Sequence, residues 1–393
     1  MTFGLARVPF LSQGFRPFFL AGALWAATAM ILWIGELAGL WRFAESYGAI
    51  AWHAHELLFG YVSAVVSGFL LTAIPNWTGR LPLRGGPLLA LFALWLAGRL
   101  ALLIVDWIGI AAAATIDAAF LVVFAFVILR EIIAGRNWRN LKTVVLVSVL
   151  AVGNIAFHFE VIVARAPDIS VRIGTSVIVG LIMLIGGRIV PSFSRNWLAK
   201  QGSPRLPAGF DRFDQLALAA SGFALLLWVA TPAAWVAGVA LAAAAIFQVG
   251  RLARWSGGAT WREPLVLVLH IGYAFVPAGF GTVAVSILLP DLMPAHDALH
   301  AWTVGAVGVM TLAVMTRASL GHTGRELLAT GTTRLIYVAI VSAALLRLAT
   351  PLSTGATAAL LSLAGLSWIA GFAIFVAAYG PMLVRQRQAA SGG

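Results

Sequence analysis

Apolar runs of membrane-crossing length recur twelve times along the chain, at about residues 18 to 40, 50 to 75, 87 to 105, 109 to 130, 142 to 164, 172 to 190, 213 to 231, 233 to 250, 264 to 288, 296 to 316, 334 to 350 and 357 to 381. A hydrocarbon layer of about 30 Å takes roughly 20 helical residues to cross, and a helix bonds every backbone N–H and C=O internally where no water reaches them. The pattern predicts an all-α polytopic membrane protein of about twelve transmembrane helices, a single transmembrane domain over residues 1–393. The longest connection, about 191 to 212, contains SPRLP and reads as a link too short to fold alone.

Charge then orients the spans. With both termini and the even-numbered connections placed in the cytoplasm, 21 of the 26 Lys and Arg fall inside, three outside (Arg42, Arg165, Arg172) and two within spans (Arg99, Arg347). That asymmetry is what the positive-inside rule asks for. The net charge of +12 points away from nucleic acid, because the bases stand singly or in pairs between apolar runs and form no basic arm. With 61% apolar and 10% charged residues the chain lies outside the soluble range. The first twenty residues lack a short apolar stretch ending at a small-residue cleavage site, so the first span is expected to be retained. The absence of cysteine excludes disulfides, iron–sulfur clusters and thiolate-bound haem or copper, which leaves imidazole, carboxylate and thioether as metal ligands.

One internal repeat is visible. Residues 51–80 and 296–325 align without gaps at an offset of 245, with seven identities that include His55 with His300, Gly60 with Gly305, and TGR with TGR. Spans two and ten are therefore expected to be related. The end of span six, IVPSFSRNW, resembles AIPNWTGR, so three successive four-helix units opened by spans two, six and ten are a further expectation.

Candidate chemistry sits on the histidines. Five of the seven, His53, His55, His158, His296 and His300, fall in the outer third of the predicted bilayer, where imidazole is costly unless ligated or hydrogen-bonded. All five are candidate metal ligands. His53 and His55 in WHAHE lie about 200° apart around the helix, so they cannot face one point together. His296 and His300 are i,i+4 neighbours on one face, roughly 6 Å apart at Cβ, a spacing that suits two ligands of one ion. Neutral imidazoles suit copper, haem iron or zinc. Glu56, Asp297 and Glu160 stand beside these histidines as candidate catalytic proton carriers or orienting acceptors, with helix-start residues stabilising the N-terminal dipole as the plainer alternative.

For a haem, the candidate residues are His55, His300 and His270, with Arg99 and Arg347 to meet propionates. The plainer alternative for the two arginines is snorkelling to the interface or pairing with Glu36 or Asp106. His270, near the inner end of span nine, could ligate a second cofactor or simply bond a neighbouring helix.

The strings FRPFFL (15–20), WHAHE, GFLLTAIPNWTGR (68–80) and HDALHAWTVGAVGVMTLAVMTRASLGHTGR (296–325) resemble the signatures of the NnrS family over essentially the whole chain. That resemblance implies a haem- and copper-containing polytopic protein of the bacterial inner (cytoplasmic) membrane, in contact with the lipid bilayer, associated with nitric oxide metabolism and protection from nitrosative stress. Haem b and copper are then the expected cofactors, nitric oxide the small-molecule ligand, and the electron donor an unknown partner. There is a looser similarity to the catalytic subunit of haem–copper oxidases, but span six carries no His and no His is followed four residues later by Tyr. Four-electron oxygen reduction is thereby disfavoured, whereas joining two NO into nitrous oxide needs only two electrons and two protons. A haem sensor or NO buffer without turnover, and a secondary transporter, are the alternative functions; for the transporter, Pro277, Gly279 and Gly281 form the one conspicuous helix break.

Overall fold

The computed structural model describes residues 2–5, 7–353 and 355–386, and all regular structure among them is helical. Twelve helices are long and apolar enough to cross a membrane: Phe15–Leu37, Ala49–Thr78, Gly86–Leu103, Ile110–Ala134, Trp138–Ala164, Ile169–Lys200, Arg212–Ala230, Trp235–Ala253, Pro264–Leu288, Ala295–His322, Gly331–Leu352 and Thr357–Val384, spans one to twelve below. Their ends follow local chemistry. Span seven starts on a capping box in which Asp211 accepts from the N–H groups of Phe213 and Asp214, span nine on Glu263 followed by Pro264, and span eleven on Thr330. Arg254 closes on the exposed Asp211, and that hydrogen bond holds the Asp211 carboxyl down to about 2. Span two stops at Gly79, whose φ of 71° is the left-handed conformation glycine adopts freely.

Span six departs from the pattern in the sequence. It runs on through Pro191 to Lys200, which shortens the expected connection at 191 to 212 to residues 201–211. The proline removes one backbone donor, yet the helix continues past it, with the Ser194 hydroxyl bonded to the Val190 carbonyl at 2.9 Å one turn on.

The chain forms two compact units rather than three. The first comprises residues 1–177, 318–326 and 372–393; the second comprises 178–317 and 327–371. Within the first, small residues let helices close up: Gly22 of span one faces Ala64 and Val65 of span two, and Gly98 of span three lies so near span four that a Cβ there would stand 3.0 Å from the Asp117 Cα. The buried Arg16 donates to the carbonyls of Leu383 and Arg385 at 3.0 and 2.6 Å, satisfying acceptors that the end of span twelve leaves open. Within the second unit, Gly272 of span nine faces Met310 of span ten. Arg251 there bonds Asp214, Tyr273 and the Met183 carbonyl at 2.9, 2.8 and 3.1 Å, a buried polar knot whose members are mutually satisfied.

The repeat is structural as well as sequential. Spans two and ten each contain a widened turn with i→i+5 bonding, at Glu56–Tyr61 and Ala301–Val309, whose starts are 245 residues apart. Span three starts at Gly86 and span eleven at Gly331, again 245 apart. Span six is α-helical throughout and carries no such turn.

Candidate metal centre

The first turns of span two put His55 and Glu56 side by side, and both side chains are fully buried. The widened turn starts at Glu56, and turns of this kind occur mostly where a helix must place side chains that regular geometry would not. A carboxylate and an imidazole in that position need partners, and the neighbouring spans supply them. Arg99 of span three donates from Nη1 to Glu56 Oε2 at 2.5 Å and from Nη2 to Asp117 Oδ1 of span four. Trp25 of span one donates its indole N–H to Glu56 Oε2 at 2.6 Å. Gly60 makes room for this arrangement, because a Cβ there would stand 2.1 Å from Arg99 Nη1.

Span five brings Asn154 and His158, an i,i+4 pair, to the other side of Asp117. His158 Nε2 lies 2.9 Å and His55 Nε2 3.2 Å from Asp117 Oδ2, and Asn154 Nδ2 donates to the same oxygen at 2.8 Å. The His55 and His158 rings are 4.7 Å apart between centroids, with Phe59 and Phe157 packed against His55. His55, Asp117 and His158 offer ligand atoms within 4.8 Å of one another and are the one such group of three among the described residues.

Proton placement around His55 follows from its neighbours. Its Nδ1 is 3.1 Å from Glu56 Oε1, and an ionised carboxylate only accepts, so Nδ1 carries the hydrogen. Nε2 then presents a lone pair. It faces Asn154 Oδ1 at 2.8 Å and Asp117 Oδ2 at 3.2 Å, and Asn154 is held in that orientation by its own N–H bond to Asp117. Acceptors thus face acceptors, an arrangement that calls for a cation between them or an added proton. A carboxylate or hydroxyl behind the ligating imidazole is the usual way a protein fixes which nitrogen points at a metal. Glu56 does this for His55, and the Tyr47 hydroxyl stands 2.9 Å from Nδ1 of His158.

Tyr47 comes from the connection before span two and is anchored from outside the spans. Asp106, in the turn between spans three and four, accepts from the N–H groups of Glu45 and Ser46 at 3.0 and 2.8 Å. Partial burial pushes the Asp106 carboxyl up, but the bonds from Ser46, Glu45 and Ala44 outweigh it and hold it below the usual range. Burial pushes the Tyr47 hydroxyl well above its ordinary value, with Glu56 adding to the effect, so it stays protonated.

The other residues singled out by sequence take different places. His53 stacks on Trp33 at 4.4 Å, on the far side of span two from His55, and belongs to no group of three ligands. Glu160 accepts from the Asp168 N–H and the Ser170 hydroxyl, both at 2.7 Å, so it braces the turn into span six. Arg99 pairs with Glu56 and Asp117, and not with Glu36 or Asp106. In the second unit Asp297 is buried and pairs with Arg347 at 2.7 Å, His296 is 79% exposed, and His300 Nδ1 lies 2.7 Å from the His296 carbonyl. His270 is buried with Nε2 2.7 Å from Ser194 Oγ. Asp117, which holds the centre together, is missing from the sequence candidates although it is an acid in the middle of the apolar run ATIDAAF. Asn154 and Tyr47 are missing too, and being neutral they leave no comparable signal.

Among known proteins, the family model described as NnrS protein matches residues 9–387, nearly the whole chain. No curated protein matches it.

Proposed function

The chain belongs to the NnrS family, and on that premise we propose that it is a multi-pass membrane metalloprotein of nitric oxide metabolism whose first unit holds copper between His55, Asp117 and His158. The observation that carries this reading is the meeting of acceptors at His55 Nε2: with the His55 hydrogen already committed to Glu56, its lone pair faces Asn154 Oδ1 and Asp117 Oδ2, and His158 Nε2 approaches the same carboxylate oxygen. Two imidazoles and a carboxylate are a donor set that copper accepts, whereas calcium and magnesium take oxygen ligands and are poorly served by two imidazole nitrogens. Bound there, copper would supply a coordination position for nitric oxide and a one-electron couple.

The chain's own groups do the rest. Glu56 and Tyr47 fix the imidazoles, Phe59 and Phe157 keep water from His55, and the buried Glu56–Arg99–Asp117 chain offers carboxylates near the centre that can hold a proton. In this reading two NO, two electrons and two protons give nitrous oxide and water, the electrons arriving from a donor outside the chain.

A haem does not fit at His55. The surroundings are packed so closely that a Cβ at Gly174 would stand 2.7 Å from Phe59, which leaves no room for a macrocycle. The remaining haem candidate is His300 in the second unit, which is half-buried and whose Nδ1 lies 2.7 Å from the His296 carbonyl, a contact that fixes the orientation of its ring.

Elemental analysis of the purified full-length protein, with a pyridine haemochrome spectrum, tests both halves. Copper is expected in the wild type and lost in His158→Ala and Asp117→Ala but kept in His296→Ala. Haem is expected to survive the first two changes and to be lost in His300→Ala. Copper content unchanged in both His158→Ala and Asp117→Ala overturns the assignment. Anaerobic nitrous oxide production with an artificial donor separates turnover from nitric oxide binding alone.

A further inference from the structure

The groups around the centre fix its charge. Glu56, Asp117 and Arg99 are 0, 2 and 2% exposed, and the single guanidinium bridges the two carboxylates. The ionisable side chains in direct contact with this trio are His55 and His158, whose Nε2 atoms face Asp117. With both imidazoles neutral, as ligands must be, two carboxylates and one guanidinium sum to one net negative charge. A monovalent cation leaves the buried cluster neutral, whereas a divalent one leaves an uncompensated positive charge that low-dielectric surroundings penalise.

We propose that Arg99 sets the charge of this site so that it holds copper in the cuprous state. Arg99 is a positioning residue and not a ligand: it neutralises one carboxylate's worth of charge and keeps Asp117 Oδ2 turned toward the imidazoles by gripping Oδ1. Gly60 is what lets the guanidinium lie there. The inference rests on the copper reading above, and on nothing in the second unit.

A ladder of variants reads it. Counted as before, the cluster carries one negative charge in the wild type, two in Arg99→Gln, none in Glu56→Gln and one again in the double variant. Purified full-length proteins are poised with redox mediators at one fixed potential, and cupric copper is counted by electron paramagnetic resonance against total copper. The cuprous-to-cupric ratio is expected to fall about tenfold in Arg99→Gln, equivalent to about 59 mV for one electron, to rise by a similar factor in Glu56→Gln, and to return near the wild-type value in the double variant. Arg99→Lys, which keeps the charge, should stay with the wild type. If Arg99→Gln does not fold, Glu56→Gln reads the ladder from its other side. Copper bound with a ratio that Glu56→Gln and Arg99→Gln leave unmoved, or a shift that the double variant does not reverse, overturns this inference and leaves the copper reading standing. A wild-type protein without copper overturns both.

Discussion

Spans two and ten begin alike and end up doing different things. Each carries a histidine at the corresponding position, His55 and His300, and each opens into a widened turn 245 residues from the other. His55 is fully buried among Glu56, Asn154 and Asp117, whereas His300 is half-buried and leans on a main-chain carbonyl of its own helix. The residue corresponding to Glu56 is Ala301, and span five, which supplies Asn154 and His158, lies outside the repeated spans. The repeat has kept a helix geometry, then, while the polar chemistry was built onto one copy from elements the other lacks. A widened turn makes a site available; the carboxylates across from it decide what occupies it.

The arginines give the sharpest way to break the comparison. Arg99 is 2% exposed and holds two buried carboxylates, while Arg347 pairs with Asp297 with both side chains 11 to 12% exposed. Removing one partner of a fully buried ion pair leaves a charge stranded in low dielectric, a cost of about 3–5 kcal/mol. Arg99→Ala should lower the thermal midpoint in detergent far more than Arg347→Ala, which leaves Asp297 near water. Equal losses in the two variants would mean that the first network is no more desolvated than the second.

A finer cut uses the paired glycines. A Cβ at Gly60 would meet the Arg99 guanidinium at 2.1 Å, and one at Gly305 would meet the Phe275 ring at 2.4 Å. Both alanine variants should be destabilised by about 1–3 kcal/mol, the range for overpacked interiors. Only Gly60→Ala should also lower the cuprous-to-cupric ratio of the bound copper, because it dislodges the guanidinium that neutralises one carboxylate's charge beside the centre. A ratio unchanged from the wild type in Gly60→Ala would show that the place of the guanidinium does not set the charge of the centre.

Much of this is legible in the sequence, for a physical reason. Twelve spans follow from the length and purity of apolar runs, since bilayer thickness sets a threshold that soluble helices rarely reach. His55 and His158 stand out because imidazole is costly at membrane depth, and their meeting follows from opposite helix directions. What the sequence hides is rotation. His53 and His55 are two residues apart, and only packing tells that one stacks on Trp33 while the other turns inward. Glu160 has the residue type and depth of a proton carrier, yet its carboxylate folds back on the backbone of its own loop. Asp117 was visible to the same rule that picks out the histidines, and its role became apparent only with Arg99 and Asn154 placed on either side of it.

The smallest expected effect concerns how the first unit holds Tyr47 against His158, whereas Nδ1 of His300 in the second unit turns to a carbonyl of its own helix. Asp106 clamps residues 44–46, and its carboxyl is held below the usual range by the bonds it accepts there. A carboxylate whose folded value is depressed contributes stability that is fully present above the unfolded value and is lost as pH falls through the folded one. Asp106→Asn should therefore melt slightly below the wild type at neutral pH, and the gap should close on acidification into the carboxylate range. The exposed position of Asp106 keeps that gap small and sensitive to salt. Because the clamp sets Tyr47, the same variant should also shift the spectrum of copper at His158 at neutral pH, while leaving any haem on His300 unaltered. A melting gap that widened in acid would reverse the sign and remove Asp106 from the support of the centre.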